Sequence, residues 1–263
     1  MKYIVPLIFL AVANHLIVFA FILIYKNKRV KRIYGIDPSD EQLKEELKNS
    51  FLTSPLHAML IGLAFYSGFL KDWENTWFNF AYTFAIVFIW TEIWHYFSHR
   101  AMHTKALLFI HREHHKSKVT NALSSISFSF LEKFIFSVGI IAPVAALSAV
   151  MPISFYGICA YYVFYFITNV IGHSNIEIRK PGYANTWIGK VLNTPSYHAM
   201  HHARYVKNYG LITSTLDRLF NTMWEDYDKV QSRAASDQPL TKLSERLVPK
   251  KSFKERFQDS NVK

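Results

Sequence analysis

The stretch FIFSVGIIAPVAALSAVMPISFYGICAYYVFYFITNVIGHSNI, residues 134–176, contains no Asp, Glu, Lys or Arg. As one continuous helix it would be roughly twice as long as the hydrocarbon core of a bilayer is thick. The chain must therefore turn, and Met151-Pro152 offers the turn because proline cannot continue a helix. The sequence predicts two membrane spans here, near 134–150 and 154–172.

Three further apolar stretches precede this pair. Residues 3–25 carry no charge, and the stretch is too long for a signal peptide and ends in a basic block, so it is interpreted as a retained span. Residues 51–70 form a second charge-free stretch, and residues 77–91 form a third that continues as a helix towards His99. The predicted fold is all-α, a polytopic membrane bundle of about five spans with a cytoplasmic helical cap.

The charge distribution fits a membrane protein. The net charge is +11 and 51% of the residues are hydrophobic. No nucleic-acid-binding motif accompanies the basic residues, so nucleic acid is not expected as a partner. With five spans, only Lys2 and Lys71 of the 30 Lys and Arg residues lie on one side of the membrane. The positive-inside rule then places the histidine-rich stretches on the cytoplasmic side.

The remaining organisation is simple. Residues 37–50, DPSDEQLKEELKNS, predict a capped amphipathic helix near the membrane surface. We expect N-terminal spans and a cytoplasmic amphipathic loop over 1–75, a catalytic domain over 76–228 and a charged cytoplasmic tail over 229–263. The tail includes Lys250 and Lys251.

Histidines are concentrated in a few short motifs. HRAMH, HREHH and HAMHH occur at 99–103, 111–115 and 198–202, and His173 closes the last predicted span. On a helix, residues three and four apart project from one face, so each motif directs at least two imidazoles to one point. The two isolated histidines, His15 and His57, are interpreted as interfacial residues.

Clustered imidazoles indicate a metal site, because neutral imidazole suits Fe, Zn, Cu and Ni. One zinc ion needs only four ligands, whereas eight to ten histidines are enough for two ions. Two alternatives stay open, a zinc-dependent membrane hydrolase and a metal-binding transporter or sensor. The hydrolase would need a carboxylate base, and the transporter would place its ligands inside the bilayer core.

The motifs together resemble the fatty acid hydroxylase and sterol desaturase superfamily of membrane di-iron enzymes, over roughly half the chain. The resemblance is closest to the alkylglycerol monooxygenase-like branch, through NTPS before the last histidine motif. It rests on six ordered motifs: EIWHYFSHRAMH (92–103), IHREHH (110–115), GHSN (172–175), NTPSYHAMHH (193–202), NYG (208–210) and DRLFNT (217–222).

The resemblance implies a set of nine metal ligands: His99, His103, His111, His114, His115, His173, His198, His201 and His202. His95 stands at a usually aromatic position and is a possible additional ligand. Asn169 replaces a further histidine of some relatives, and it would bind metal weakly, orient a ligand or cap the helix. Metal-bound histidines donate their other N–H to nearby acceptors, and Glu92, Glu113 and Asp217 are the candidate carboxylates.

The resemblance also implies the chemistry. Two iron ions, with O2 as co-substrate, would hydroxylate or desaturate an unactivated C–H bond of a sterol, fatty acyl or ether lipid. Electrons would come from NAD(P)H through a separate ferredoxin or cytochrome b5 type protein and its reductase. The expected protein is a multi-pass membrane oxidoreductase.

Overall fold

A computed structural model describes residues 3–26, 29–73 and 76–248. These residues form α-helices joined by loops and short 3-10 segments, and no β-strand occurs among them. The helices are α1 (Ile4–Tyr25), α2 (Asp40–Thr53), α3 (Leu56–Tyr66), α4 (Trp77–Met102), α5 (Leu108–His111), α6 (Phe130–Ser148), α7 (Phe155–His173), α8 (Pro195–Arg204), α9 (Thr215–Leu219) and α10 (Tyr227–Ala235).

The long charge-free stretch forms two helices, α6 and α7, as the sequence predicts. Each begins at a serine whose hydroxyl satisfies an otherwise free backbone N–H. Ser129 Oγ accepts from the Glu132 N–H at 3.1 Å, and Ser154 Oγ accepts from the Gly157 N–H at 3.1 Å. The first cap lies before the charge-free stretch, so α6 starts earlier than predicted.

Within the described part of the chain, three helices have the length and apolar composition to cross a membrane: Val5–Tyr25 of α1, α6 and α7. The predicted continuous span over 51–70 is wrong in its extent. Proline at position 55 lacks a backbone N–H, and the chain turns at Ser54 and Pro55. The resulting α3 is about 16 Å long, half the thickness of the hydrocarbon core.

Five helices enclose a central space. Each packs against two others, in the order α1, α3, α6, α4, α7 and back to α1. Large apolar side chains such as Phe9, Leu63 and Ile89 lie exposed on the outside of this ring. An apolar outer surface of this kind is typical of a protein surrounded by lipid.

The shorter helices and loops form a cap at the end of the ring where α4 and α7 terminate. The cap has its own apolar core, in which Tyr197 and Met200 of α8 pack against Tyr227 of α10. A buried ion pair supports it, because Arg204 donates to Asp226 at 2.6 and 2.9 Å. Helix α10 extends across the predicted domain boundary at 228, and the tail residues 249–263 lie outside the described residues.

Helix α2 forms where the sequence predicts a capped helix. Ser39 Oγ accepts from the Gln42 N–H at 3.2 Å, and Asp40 and Glu41 lie in the first turn. The helix also supplies a buried carboxylate, Glu46, to the cap. Its inner face therefore packs on the histidine-bearing loops rather than lying free.

Candidate metal centre

Nine histidine side chains meet in the cap and form two groups. Within each group the ring nitrogens that face inward lie within 4.8 Å of one another. The first group consists of His99, His103, His111, His115 and His201; the second consists of His114, His173, His198 and His202. These are the nine residues that the sequence resemblance implies as ligands.

Helix geometry decides which ring joins which group. His99 and His103 are one turn apart at the end of α4, and both join the first group. Helix α8 serves both groups, since His201 joins the first while His198 and His202 join the second. The two groups therefore share supporting elements and form one centre.

Backbone carbonyls fix the orientation of the rings. Nδ1 of His99 donates to Tyr209 O at 2.8 Å, and Nδ1 of His201 donates to Lys207 O at 2.7 Å. Three rings of the second group make the same type of bond: His114 to Ser127 O at 2.9 Å, His173 to Asn169 O at 2.9 Å and His202 to Ser117 O at 2.9 Å. A carbonyl oxygen only accepts, so Nδ1 carries the proton and Nε2 keeps a lone pair.

These lone pairs point at one another. In the second group, Nε2 of His173 lies 3.0 Å from Nε2 of His198 and 3.4 Å from Nε2 of His114. The Nε2 atoms of His202 and His198 are 3.1 Å apart. Carbonyls hold the Nδ1 protons of His114, His173 and His202, so the Nε2 lone pairs of these three rings face one point, which is the arrangement that a bound cation needs.

The spacing of the nitrogens fits such a cation. Imidazole nitrogens bound to one ion at about 2.1 Å lie about 3.0–3.4 Å apart at ordinary coordination angles. The first group has the same need, because the Nε2 atoms of His99 and His111 are buried and have no hydrogen-bond partner among the described residues. Both groups therefore fit a metal ion held by nitrogen ligands alone, a donor set that suits iron as well as zinc or copper.

Burial keeps the rings neutral and ready to bind metal. Removal from water lowers the pKa of His111 to about 3 and that of His114 to about 4. The pKa values of His115, His198, His201 and His202 are lowered well below the usual value, first by burial and then by neighbouring histidines. At neutral pH these rings offer lone pairs rather than positive charge.

A carboxylate that the sequence interpretation missed contacts the first group. Glu132, in the first turn of α6, accepts from Nδ1 of His111 at 2.6 Å, and both side chains are buried. Its signal was a single acidic residue beside an apolar span, two positions before the charge-free stretch. An acceptor of this kind makes imidazole a stronger ligand.

The three carboxylates that the sequence analysis selected as acceptors for the histidines have other hydrogen-bond partners. Glu92 accepts from the Thr213 N–H at 2.8 Å, and Glu113 pairs with Lys116 at 2.8 Å. Asp217 accepts from the backbone N–H groups of Tyr209 and Gly210 at 3.0 and 2.6 Å. Asp217 therefore supports His99 indirectly: it holds the loop whose Tyr209 carbonyl accepts the hydrogen bond from His99.

His95 and Asn169 lie beside the nine histidines. The ring of His95 is 5.1 Å from that of His99, but it belongs to neither group. Asn169 donates through its side chain to Ser125 O at 2.7 Å, while its backbone carbonyl accepts from His173. The backbone carbonyl of residue 169, not the Asn169 side chain, orients His173, so the role expected of that side chain stays a prediction.

Helix α2 supports the second group through Glu46. This buried carboxylate accepts from Ser117 Oγ at 2.6 Å, and the Ser117 carbonyl orients His202. It also accepts from Asn121 at 2.7 Å and from Gln42 at 2.8 Å. A residue from the N-terminal part of the chain thereby holds the loop that bears two histidines.

A comparison with known protein families assigns the chain. The profile described as "Fatty acid hydroxylase" matches residues 84–222, more than half of the sequence. The chain belongs to the fatty acid hydroxylase family. The matched segment of this family member contains all nine histidines and Glu132.

Several plant proteins are similar to this fatty acid hydroxylase family member. The very-long-chain aldehyde decarbonylase GL1-5 of Oryza sativa subsp. indica is 30% identical over 138 residues, covering 51% of this chain and 22% of the relative. The very-long-chain aldehyde decarbonylase GL1-4 of the same subspecies is 28% identical over 144 residues, covering 52% of this chain and 22% of the relative. The very-long-chain aldehyde decarbonylase CER1 of Arabidopsis thaliana is 26% identical over 142 residues, covering 53% of this chain and 23% of the relative.

The aligned part thus spans less than a quarter of the length of each of these relatives. No solved structure matches the chain. The predicted family is confirmed, and the resemblance to the alkylglycerol monooxygenase-like branch stays a prediction.

Proposed function

We propose that this protein is a membrane oxygenase that binds two iron ions through the nine histidines and uses O2 to hydroxylate or desaturate a lipid. The observation that carries the proposal is the pair of adjoining all-histidine groups with lone pairs facing inward. A function that needs one metal ion would require only one such group. Two groups built on shared helices favour chemistry that needs two ions.

Iron bound in this centre would supply the oxidising power that an unactivated C–H bond requires. The chain's own residues perform the supporting tasks. Backbone carbonyls and Glu132 hold the ring protons at Nδ1, which leaves Nε2 available as a ligand atom. Apolar side chains such as Phe136 and Leu211 border the histidines and exclude water. Both tasks keep the centre rigid and dry.

A second reaction is favoured by the relatives. Those in rice and Arabidopsis are named very-long-chain aldehyde decarbonylases, and each is similar to about half of this chain. Shortening of a long-chain aldehyde to a hydrocarbon is therefore the alternative outcome for the same centre. Both reactions would act on a lipid.

The test is comparative lipid mass spectrometry under ¹⁸O2. Cells would express the wild-type chain, the His201→Ala variant or the matched control His15→Ala, together with a cytochrome b5 or ferredoxin donor and its reductase. We expect the wild type and His15→Ala to give a lipid product that carries ¹⁸O or has lost two hydrogens, and His201→Ala to give none. A hydrocarbon one carbon shorter would favour decarbonylation, and identical profiles in all three cultures would contradict both reactions.

We also propose that α4 and the whole apolar stretch 51–70, of which α3 is only a part, complete the membrane bundle and that the cap lies on the cytoplasmic side. The support is the distribution of Lys and Arg under the positive-inside rule. In this orientation a soluble electron donor reaches the centre from the cytoplasm, while lipid enters from the bilayer.

A further inference from the structure

One side of α4 is exposed along most of the helix. Ala81, Ala85, Ile89, Ile93 and Phe97 are all exposed, and they follow one another at intervals of four residues. Residues four apart lie on the same face of a helix, so these side chains form one continuous apolar stripe. This stripe is the surface that α4 would present to lipid as a membrane span.

The stripe continues beyond α4 onto the cap. The ring of Phe97 lies 5.6 Å from the ring of Phe220, which directly follows α9. Phe220 is 42% exposed, and its neighbour Leu219 is 68% exposed. The apolar outer surface of the bundle and that of this part of the cap are therefore one surface.

A second exposed segment of the cap lies beside α9. Leu192 forms an isolated antiparallel bridge with Thr213, which joins the two segments. Trp187 is 81% exposed and Leu192 is 36% exposed. Residues 187–192 and 213–220 together form the cap ledge.

The cap ledge meets α4 at the depth of the bilayer. The Thr213 N–H donates to Glu92 Oε2 at 2.8 Å, and Glu92 lies within α4. Between Trp77 and Glu92 the helix rises about 22 Å, which is less than the hydrocarbon thickness of about 30 Å. A span that begins at Trp77 therefore brings this edge of the ledge to the level of the lipid chains.

The backbone of the ledge suits a position at the membrane boundary, because its polar groups bond within the protein. The N–H groups of Val191 and Leu192 donate to Ile188 O at 2.9 and 2.8 Å, and the Ser214 N–H donates to Val191 O at 2.8 Å. Unpaired backbone groups are costly in contact with lipid. These bonds allow an irregular segment to lie against lipid without that cost.

The charged residues around the ledge are basic. Residues 178–222 contain six Lys and Arg residues but a single acidic residue, Asp217, which is buried. Lys190 and Arg218 lie exposed within the ledge itself. The charge that this surface offers to a partner is therefore positive, and it complements the anionic headgroups of a membrane.

Arg100 lies at the boundary between the apolar stripe and water. Its guanidinium lies 5.6 Å from the centre of the Phe220 ring and donates to the Tyr96 hydroxyl at 3.1 Å. An arginine at the end of a span keeps its stem on apolar surface and its charge at the headgroups. The level of Arg100 and Phe220 is thus the level of the headgroups.

We propose that the cap ledge is a membrane-binding surface that rests among the headgroups and upper chains of anionic phospholipid. Leu219, Phe220 and Trp187 enter the apolar layer, and Lys190 and Arg218 contact the headgroup anions. Continuity with the α4 stripe favours lipid over a protein partner, because a protein bound there would border the stripe inside the bilayer. The inference rests on α4 as a span and is independent of the metal and of the reaction.

The depth of the ledge is measured by electron paramagnetic resonance on the full chain in vesicles of phosphatidylcholine and phosphatidylserine. Spin labels are attached to Leu219→Cys or Val191→Cys in a Cys159→Ser background, with Ile89→Cys in the stripe and Lys229→Cys on α10 as references. We expect the two ledge labels to collide with oxygen dissolved in lipid and to be protected from a water-soluble nickel complex, like the label at Ile89→Cys. The label at Lys229→Cys should show the reverse.

Three other results would overturn the proposal. Access of the nickel complex to both ledge labels, equal to that at Lys229→Cys, would place the ledge in water. Protection from both reagents would show that a protein, such as a second copy of this chain, covers the surface. Nickel access at Ile89→Cys would reject α4 as a span and the membrane-bound ledge with it.

The preference for anionic lipid is tested with brominated lipids, which quench a bimane fluorophore at Val191→Cys on contact. Brominated phosphatidylserine should quench more strongly than the same mole fraction of brominated phosphatidylcholine. Lys190→Gln should reduce this preference about fivefold, because one basic residue near an anionic surface contributes about 1 kcal/mol. The matched control Lys229→Gln, at an exposed position of α10, should leave it unchanged. Equal quenching by both lipids in the protein that retains Lys190 would refute the preference.

Discussion

At the scale of single residues, Glu132 is the side chain whose removal should act most directly on the centre. Glu132→Ala removes the acceptor of the His111 Nδ1 proton. Loss of such a partner lowers metal affinity by about 10–100-fold. We expect that decrease in iron affinity, measured by chelator competition, and a smaller one for Glu132→Gln.

The matched control is Glu113→Ala, because Glu113 lies inside the motif HREHH but contacts Lys116 and Asn49 instead of a histidine. Its iron affinity should equal that of the wild type. If the two alanine variants lose iron equally, the carboxylate at position 132 has no special role in positioning His111.

Glu46 gives a dependence of stability on pH. Burial raises the pKa of this carboxyl above its usual value, against the opposing effect of its hydrogen-bond donors. A group with a raised pKa in the folded state contributes most stability below its unfolded pKa, about 4.5, and loses that contribution as pH rises through the folded pKa. The stability of the wild type relative to Glu46→Gln should therefore fall as the pH rises above about 4.5.

Thermal unfolding of both proteins in detergent at four or five pH values measures this difference. A constant difference across the range would show that the Glu46 carboxyl does not titrate differently in the folded state. The Glu113 carboxyl is only partly exposed, and although burial raises its pKa, hydrogen bonds from Lys116 and Asn49 lower the pKa overall, so the corresponding difference for Glu113→Gln should change with pH in the opposite direction.

His99 with His103, and His198 with His202, could be predicted to face one point because helical spacing is local information, whereas the full set of nine was implied by the family resemblance. His99 and His103 face one point for reasons contained in five consecutive residues. The partner of His111 could not be predicted in this way, since Glu132 reaches it from another helix, 21 residues along the chain. Glu92, Glu113 and Asp217 were chosen for nearness in sequence, whereas hydrogen-bond acceptors are selected by packing.

At the scale of elements, the loop at Gly210 is the most sensitive support of the first group. A Cβ on Gly210 would lie 2.2 Å from Thr213 O, so the backbone would have to move. Movement would shift the Tyr209 carbonyl that orients His99. Gly210→Ala should destabilise the protein by about 1–3 kcal/mol and reduce iron from about two ions per chain towards one.

Gly172→Ala is the control at this scale. It lies next to His173, but a Cβ there would meet Leu211 Cδ1 at 3.6 Å, an ordinary contact. Iron content of this variant should match that of the wild type. Full iron content in Gly210→Ala would indicate that the loop does not position the first group.

Helices α2, α6 and α7 could be predicted because the residues that cap them and the residues that set their polarity are contiguous in the sequence. The span predicted over 51–70 was wrong because hydropathy is insensitive to one turn at Ser54 and Pro55. Apolar composition sets whether a segment enters lipid or a protein core, but it does not set whether the segment is one helix or two.

At the scale of the whole molecule, the ring and the cap place the centre at one end of the bundle. Orientation is tested by single cysteines in a Cys159→Ser background, at the exposed positions Lys180 in the cap and Lys71 at the other end. We expect an impermeant maleimide to label Lys180→Cys only from the cytoplasmic side and Lys71→Cys only from the opposite side. Labelling of both from one side, or the reverse pattern, would contradict the proposed topology.

The closed ring of five helices is the feature that the sequence could not predict. Spans and their order follow from hydropathy, but neighbours in the ring follow from packing: α6 and α7 are consecutive, yet both pack on α4.

The most direct test of the account is the metal content of the purified full chain, measured by elemental analysis together with Mössbauer spectroscopy after expression in ⁵⁷Fe. The account predicts about two iron ions per chain in one coupled pair, retained in His15→Ala and lost in His201→Ala. A single ion per chain, or zinc as the principal metal, would contradict it.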